Sequence, residues 1–574
     1  MKFLPAQLAF FLENKRTERN IGFLVRFFLL IFALVIVYSL IFHVIMEHEG
    51  KNYSIITGFY WTMTVMSTLG FGDITFTSDL GKLFSILVLI TGGLLFLVML
   101  PFTFIQFFYA PWLEAQSKSR VPRKLIGKVQ NHVLITNFGP IAMALIERLK
   151  QYGYSYALIL PDMQQVLDLV DQGYTVLLGE LDNPQTWRNA SAETAAMVIA
   201  TNDDMKNTAT IFTVRQIAPK VLTVANAEFK DSREILQLAG CHLTFQFMDM
   251  LGDALARRSL GKASRATVIG RFEELTIAES PVMRTKLVGR TIQDIALRQK
   301  TGLNVVGLWD RGRFMLPKAD TRLESSMVLV LAGSERQLAA YDAFIGERKT
   351  TQAPVLILGG GRVGRAAAKA LQGENVPYRV VEKNPHRLDT ADENYIIGSA
   401  ADHDTLVQAG IAKAPSVLIT THSDDVNIYL TIYCRRLRPD IQIISRATLD
   451  RNINVLHSAG ADLVMSHASM AASTIINILM PGRLLMLTEG LNIFRYPVPE
   501  SLTGKKLSES GIREKAACSV IAIIRDGVTD INPDPLKPLK NGEEMLMIGT
   551  SEAEKAFTEN YFEAEKTFVE NHLH

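Results

Sequence analysis

Apolar positions fall into different regimes along the chain. Before residue 110 they form long unbroken runs: Phe27 to Met46 carries no full charge, and neither does Leu83 to Phe108. Roughly 20 apolar residues cross a bilayer, so both runs predict membrane-spanning helices. Between them, Tyr53 to Ser67 is a shorter aromatic and Thr-rich stretch that predicts a re-entrant helix. After residue 130, short apolar strands alternate with helical stretches. In the later half the strands read Val355–Leu358, Tyr378–Glu382, Tyr395–Ile397, Ser416–Thr420 and Ile441–Arg446. This βαβ rhythm predicts parallel sheets. The pattern occurs twice. Thr201, Asn207, Arg215, Pro219 and Gly240 recur as Thr421, Asn427, Arg435, Pro439 and Gly460, each offset by 220. That is a duplicated domain, too long for a solenoid repeat. Each copy continues into a smaller α+β module, with a Leu-x-Gly-[Arg/Lys] turn at Leu287–Arg290 and at Leu502–Lys505. Strands are expected near Val305–Trp309 and Val520–Ile524, and a helix from Met250 to Ser264 joins the two parts of copy one.

The chain has 574 residues, which at ~150 residues per domain suggests about four domains. Its formal net charge of +2 implies no nucleic-acid partner. Apolar residues make up 48% of it, and the mean hydropathy is +0.14. The excess lies before residue 110. The first apolar run is too long for a cleaved signal peptide and has no small-residue cleavage site after it. Lys15, Arg16, Arg19 and Arg26 precede the first span, and Arg120, Arg123, Lys124 and Lys128 follow the second. Basic residues stay on the cytoplasmic side, so both termini are expected there and the intervening loop outside. Cys241, Cys434 and Cys518 form no C-x-x-C pair, which fits buried small hydrophobes in a reducing cytosol.

Between the spans stands Thr68-Leu69-Gly70-Phe71-Gly72-Asp73. A T-x-G-[YF]-G-D loop after an aromatic helix resembles the selectivity filter of K+ channels. The residue types suit that chemistry. Backbone carbonyls in rings replace the hydration shell of K+. Gly70 and Gly72 supply the positive φ angles that alternating carbonyl direction needs. The Thr68 hydroxyl adds a further ring, so K+ is expected at Thr68, Leu69, Gly70 and Phe71. One loop per chain requires four chains. Leu69 and Phe71 depart from the commoner Val and Tyr, and Phe71 lacks a hydroxyl that braces the loop from behind. In the second span, Gly92-Gly93 and Pro101 are expected flexure points, with close helix packing as the other reading of the glycines. Leu97, Met99 and Leu100 are candidates for an apolar constriction.

In the second copy, Gly359, Gly361 and Gly364 form an intact G-x-G-x-x-G at a strand-to-helix turn, and Glu382 ends the next strand. That is the dinucleotide fingerprint of a Rossmann-type lobe. Glycines admit a pyrophosphate to the helix N-terminus, and the carboxylate takes ribose hydroxyls. Arg362, Val363 and Lys383 flank these positions. Ser399, Thr421, His422 and Arg446 lie at other strand ends, where Arg446 can pair with a phosphate. The first copy is degenerate: Asn137, Gly139 and Ala142 stand at the glycine positions, with Phe138 and Pro140 between them. Asp162 replaces Glu382 and can still hold a ribose. The run from Thr201 to Asp204 either lines the crevice or caps the next helix.

A two-span pore followed by two such units resembles the prokaryotic K+ channels with tandem RCK domains, the regulators of K+ conductance also called KTN or TrkA-type domains. The resemblance covers nearly the whole chain. It implies a cytoplasmic segment 1–20, a pore domain 21–110 and a linker 111–130. A Rossmann-type lobe with crossover helix follows at 131–264, and its C-terminal lobe at 265–348. The second pair falls at 352–483 and 484–574. It further implies a homotetramer, with eight RCK units in a cytoplasmic gating ring, in the inner (plasma) membrane of a prokaryote and in contact with lipid. Ligands in that family include NAD, adenine nucleotides (ADP, ATP) and Ca2+. Glu273, Glu274 and Glu279 are the candidate divalent-ion residues. Nucleotide binding would change the angle between lobes and act on the inner helix through the linker. A membrane-tethered NAD-dependent oxidoreductase, a K+ transporter component and a nonselective cation channel are the competing readings.

Overall fold

A computed structural model describes residues 15–109, 121–127, 129–259, 266–283, 285–346, 352–387, 393–482, 484–486 and 490–563. They fall into two compact units divided after Val121. Most of the expected linker, the first fourteen residues, the tail beyond 563 and the end of the expected crossover helix (260–264) lie outside the described residues.

In the first unit the outer helix runs Lys15–His48, longer than the apolar run because its charged N-terminal turns continue the helix. The re-entrant helix Ile55–Met66 begins at Ser54, whose hydroxyl accepts the Thr57 N–H. The inner helix is α-helical over Asp79–Gly93, widens to π-helical turns at Leu94–Met99, returns to α at Leu100–Phe104 and widens again at Ile105–Tyr109. The first widening sits where Pro101 removes the N–H that would donate to the Leu97 carbonyl. Aromatic packing ties the helices together: Trp61 stacks on Phe42 at 4.9 Å and lies against Phe84 at 5.8 Å. The outer helix spans Val25–His48 and the inner helix Asp79–Thr103 with length and hydropathy enough to cross a bilayer. In the single chain their outward apolar side chains, such as Phe32, Val44, Ile90 and Leu97, are exposed.

The second unit holds two six-stranded parallel sheets. In copy one the strands are β1 (Val133–Ile135), β2 (Tyr156–Leu160), β3 (Val176–Leu178), β4 (Met197–Ala200), β5 (Leu222–Asn226) and β6 (Leu243–Phe245). Their order is β3-β2-β1-β4-β5-β6. After them, copy one's smaller lobe has β7 (Thr267–Phe272), β8 (Leu275–Pro281), β9 (Asn304–Asp310), β10 (Arg313–Met315) and β11 (Met327–Gly333). Copy two repeats the parallel sheet with β12 (Val355–Leu358), β13 (Tyr378–Glu382), β14 (Tyr395–Ile397), β15 (Ser416–Ile419), β16 (Gln442–Ala447) and β17 (Leu463–Ser466). The order is again outward from the middle, β14-β13-β12-β15-β16-β17. The central strands are buried on both faces, which is why they read as unbroken apolar runs. The second smaller lobe has β18 (Leu484–Met486), β19 (Leu491–Pro497), β20 (Ser519–Arg525), β21 (Val528–Asp530) and β22 (Glu544–Thr550). Both smaller sheets are antiparallel with one topology, β7-β8-β11-β9-β10 matching β18-β19-β22-β20-β21.

The repeated residues are structural pins. Arg215 and Arg435 donate to the carbonyls of Pro219 and Pro439. Gly240 and Gly460 turn at φ 94° and 113° beside those arginines. Asn207 donates to the Asn226 carbonyl as Asn427 does to that of Arg446. Asp204 accepts the N–H groups of Glu228 and Phe229, and Asp424 those of Thr448 and Leu449.

The copies pack reciprocally. The crossover helix of copy one, Phe247–Ser259, lies on the first helix of copy two, Arg362–Gly373. The crossover helix of copy two, His467–Leu479, lies on the first helix of copy one, Pro140–Gln151. At Gly252 the helices approach so closely that a Cβ would stand 2.5 Å from Ala366 Cβ and 2.6 Å from the Val363 carbonyl. The Gly252→Leu variant should therefore unfold more easily by about 1–3 kcal/mol, the usual cost of overpacking. Chemical denaturation of the full-length protein in detergent measures this, and an unchanged midpoint would mean that the two helices part at no cost.

Candidate functional site

Strand order reverses between β12 and β15, and the crevice there opens into a cavity of about 1020 Å³. Gly359 turns at φ 113°, a left-handed conformation natural to glycine. Thr420 on the neighbouring strand end donates its hydroxyl to the Gly359 carbonyl at 2.8 Å. Gly361 caps the helix Arg362–Gly373, aiming its N-terminus at the cavity. The three glycines differ in purpose. A Cβ at Gly364 would strike the Gly359 carbonyl oxygen at 1.9 Å, so that glycine serves packing. A Cβ at Gly361 would meet nothing within 4 Å and would project into space that a ligand can use.

Glu382 is buried at the end of β13. Its carboxylate accepts the Gly360 N–H at 2.8 Å and the Asn384 N–H at 2.9 Å, which fixes it beside the glycine turn. Arg446 is 4% exposed, yet its Nε and Nη2 have no hydrogen-bond partner among the described residues. Burial lowers its pKa, opposed by the Asp424 carboxylate and reinforced by the Arg362 guanidinium. His467 stands close enough to feel both arginines, and burial first, then Arg446, Arg362 and His422, push it down to about 3. His467 is therefore neutral at physiological pH, and Arg362 and Arg446 bring positive charge to the cavity. An unpaired buried cation is costly, so the arrangement fits an anionic ligand group such as a phosphate.

Of the residues expected from sequence, Gly359, Gly361, Arg362, Val363, Glu382, Lys383, Ser399, Thr421, His422 and Arg446 all line this one cavity. Sequence reasoning missed Asp425, Tyr429 and Met248. Met248 belongs to the crossover helix of copy one, so the cavity takes a wall from the other copy. No local pattern marks it.

In the equivalent crevice of copy one, side chains bond from strand end to strand end. Asn137 donates to the Thr201 carbonyl at 3.0 Å, and Asn202 to the Thr136 hydroxyl at 2.7 Å. Phe138 packs edge-on against Tyr174. Gly139 is extended, with φ −149°, a conformation open to any residue. Asp162 is exposed and caps the helix Met163–Asp171. Asp203 likewise caps Asp204–Ile217.

The expected divalent site is corrected. Glu279 is buried, and its Oε2 accepts from Arg258 Nε at 3.1 Å and Nη2 at 2.9 Å. Glu273 accepts the Thr529 hydroxyl and faces Arg495, and Glu274 is exposed. Along β8 and its turn the three carboxylates do not converge. Among the described residues no group of three or more metal-ligating side chains is placed to hold an ion. The three cysteines are free and buried, and burial pushes the Cys434 and Cys518 thiols up to about 12.

In the membrane unit, the N–H groups of Leu69 and Gly70 both donate to the Thr64 carbonyl at the end of the re-entrant helix. Thr68, Gly70 and Gly72 have φ of 63°, 49° and 74°, so left-handed residues alternate with Leu69 and Phe71. The Tyr60 hydroxyl donates to Asp73 at 3.0 Å, and the Tyr60 ring lies parallel to that of Phe71. Tyr60 thus reaches both Phe71 and the carboxylate that ends the loop. Gly92 packs on the re-entrant helix, where a Cβ would lie 2.4 Å from Met66 Cα, whereas Gly93 has only an ordinary 3.7 Å neighbour in Thr68.

The ion channel family matches residues 27–110. The TrkA-N domain family matches residues 133–246 and 355–467, and the TrkA-C domain family residues 277–346. The solved GsuK channel is 33% identical, covers 94% of this chain and 99% of its own, and superposes with a TM-score of 0.57. The GsuK channel bound to NAD is likewise 33% identical over the same shares, with a TM-score of 0.55. Potassium channel protein 1 of Methanocaldococcus jannaschii is 28% identical over 210 residues, 34% of this chain. That match spans 63% of the archaeal protein, less than two thirds of its length.

The glycine geometry separates packing from ligand access. Gly364→Ala should destabilise the protein by about 1–3 kcal/mol through its clash with Gly359. Gly361→Ala should stay within about 0.5 kcal/mol of the wild type. Denaturation midpoints of the two variants check the contrast, and equal losses would contradict it.

Proposed function

The chain belongs to the potassium channels with TrkA-type regulatory domains, the family of the GsuK channel, and we propose that it conducts K+ as a homotetramer gated by NAD or an adenine nucleotide. Membership of this family sets the chain among channels rather than oxidoreductases. The spans belong in a prokaryotic inner membrane, with both termini and the regulatory domains in the cytoplasm.

The observation that carries the nucleotide reading is Arg446, buried with two unpartnered nitrogens in a cavity headed by a glycine turn. Ligand phosphates sit at the N-terminus of Arg362–Gly373 between Arg446 and Arg362. Glu382 takes ribose hydroxyls and disfavours a 2′-phosphate, which selects NAD over its phosphorylated form. Ser399, Thr421 and His422 complete the walls. Copy one, with Asn137 and Asn202 spanning its crevice, serves as a structural partner. Conduction rests on the left-handed pattern at Thr68, Gly70 and Gly72, whose carbonyls form rings only when four chains meet. Tetramers bring eight Rossmann-type lobes together, and the exposed apolar side chains Met205, Phe212, Leu238, Tyr429 and Ile432 supply faces for ring contacts. Ligand binding shifts the pore only by its differential affinity for the two ring states.

Purified protein in planar bilayers under a K+/Na+ gradient tests both halves. The reversal potential should follow K+, and NAD or ADP on the regulatory-domain side should change open probability. The Gly361→Val variant should lose the nucleotide response while keeping K+ selectivity. A reversal potential midway between the two ions would instead mark a nonselective pore. Undiminished nucleotide sensitivity in the variant would remove the ligand from this cavity.

A further inference from the structure

Arg362 stands at the mouth of the cavity and also reaches across to the other copy. Its Nη2 lies 3.2 Å from Oε1 of Glu228, on the loop after β5, with the two side chains 41% and 34% exposed. A pair this exposed is weakly held and exchanges readily for a better anion. The better anion has a place waiting on its other side, because Arg446 lines the same cavity as Arg362 and feels its charge. A phosphoryl group between the two guanidiniums makes charge-assisted bonds to both.

The pseudo-symmetry of the two copies isolates this contact. The position equivalent to Arg362 is Pro140, and that equivalent to Glu228 is Thr448. Neither carries charge, so the second helix pairing of the unit lacks the ion pair. Glu228 is also firmly mounted. Its N–H and that of Phe229 bond to Asp204, at the start of the helix Asp204–Ile217. Phe229 and the helix residues Met205 and Phe212 are exposed. A change at Glu228 is therefore felt at an apolar face of copy one.

We propose that Glu228 is a built-in competitor for Arg362: it holds the guanidinium until a ligand phosphate takes it, so copy one registers phosphate in copy two as the loss of an ion pair. The inference rests on the nucleotide reading of the cavity. Glu228 touches no ligand and acts through Arg362 as a positioning residue. By linkage, what the ligand must displace also weakens the ligand.

Binding isotherms of the full-length protein with ADP and with adenosine test this. Glu228→Gln should tighten ADP by about two- to fivefold, the exchange value of one exposed ion pair. Adenosine, without a phosphate, should be bound no better by the variant than by the wild type. In an Arg362→Gln background the gain for ADP should vanish. If the wild type binds ADP and Glu228→Gln leaves the affinity unchanged or lower, the competitor is refuted and the nucleotide site stands. A gain shared by adenosine refutes it too, as general loosening. If the wild type binds no ADP at all, the nucleotide reading falls and this inference with it.

Discussion

The cytoplasmic unit is organised by the exchange of helices between its two copies. Each crossover helix leaves its own sheet and packs on the first helix of the other copy, and one buried core joins the crossover helix of copy one to the sheet of copy two. Leu251 and Leu255 of copy one share that core with Val363, Ala367 and Leu371 of copy two. The helix they meet is the one whose N-terminus opens on the cavity. A ligand in the cavity and the inter-copy contact would thus act on the same helix, one at its end and one along its flank. Small residues at Gly252, Ala366 and Ala367 keep the two axes close, so a displacement at one is not absorbed by loose side chains between them.

That arrangement explains how two copies of one fold divide the work. In copy one, Asn137 and Asn202 satisfy the strand ends across the crevice. In copy two the same region is left to glycine, and the Nε and Nη2 of its buried Arg446 have no hydrogen-bond partner among the described residues. A satisfied polar network rigidifies, whereas an unsatisfied one is a cost until something binds.

Much of this was legible in the sequence. Strands buried on both faces announce themselves as apolar runs, and the glycine spacing marked the turn at Gly359 before any coordinate. The turn geometry of the loop after the re-entrant helix was legible because positive φ falls at Gly70 and Gly72. Strands β6 and β17, of three and four residues, were not. The crossover helix begins at Phe247 rather than Met250, because Phe247 is fully buried. Tyr60, Met248 and the partner of Glu279 depend on contacts distant in sequence, which no local pattern reports. A signal for Asp424 was available, since Asp204 stands 220 residues earlier in the duplicated frame and does the same work.

The loss of the glycine turn in copy one has a consequence for counting. A ring of eight identical lobes would offer eight ligand positions. A ring in which lobes like the two of this chain alternate offers four, one for each filter strand. Input and output then share the same rotational order, and a steep ligand response is capped at a Hill coefficient of about four. In such a ring, fusing the copies into one chain would fix that alternation covalently, because each lobe of the second kind would follow one of the first.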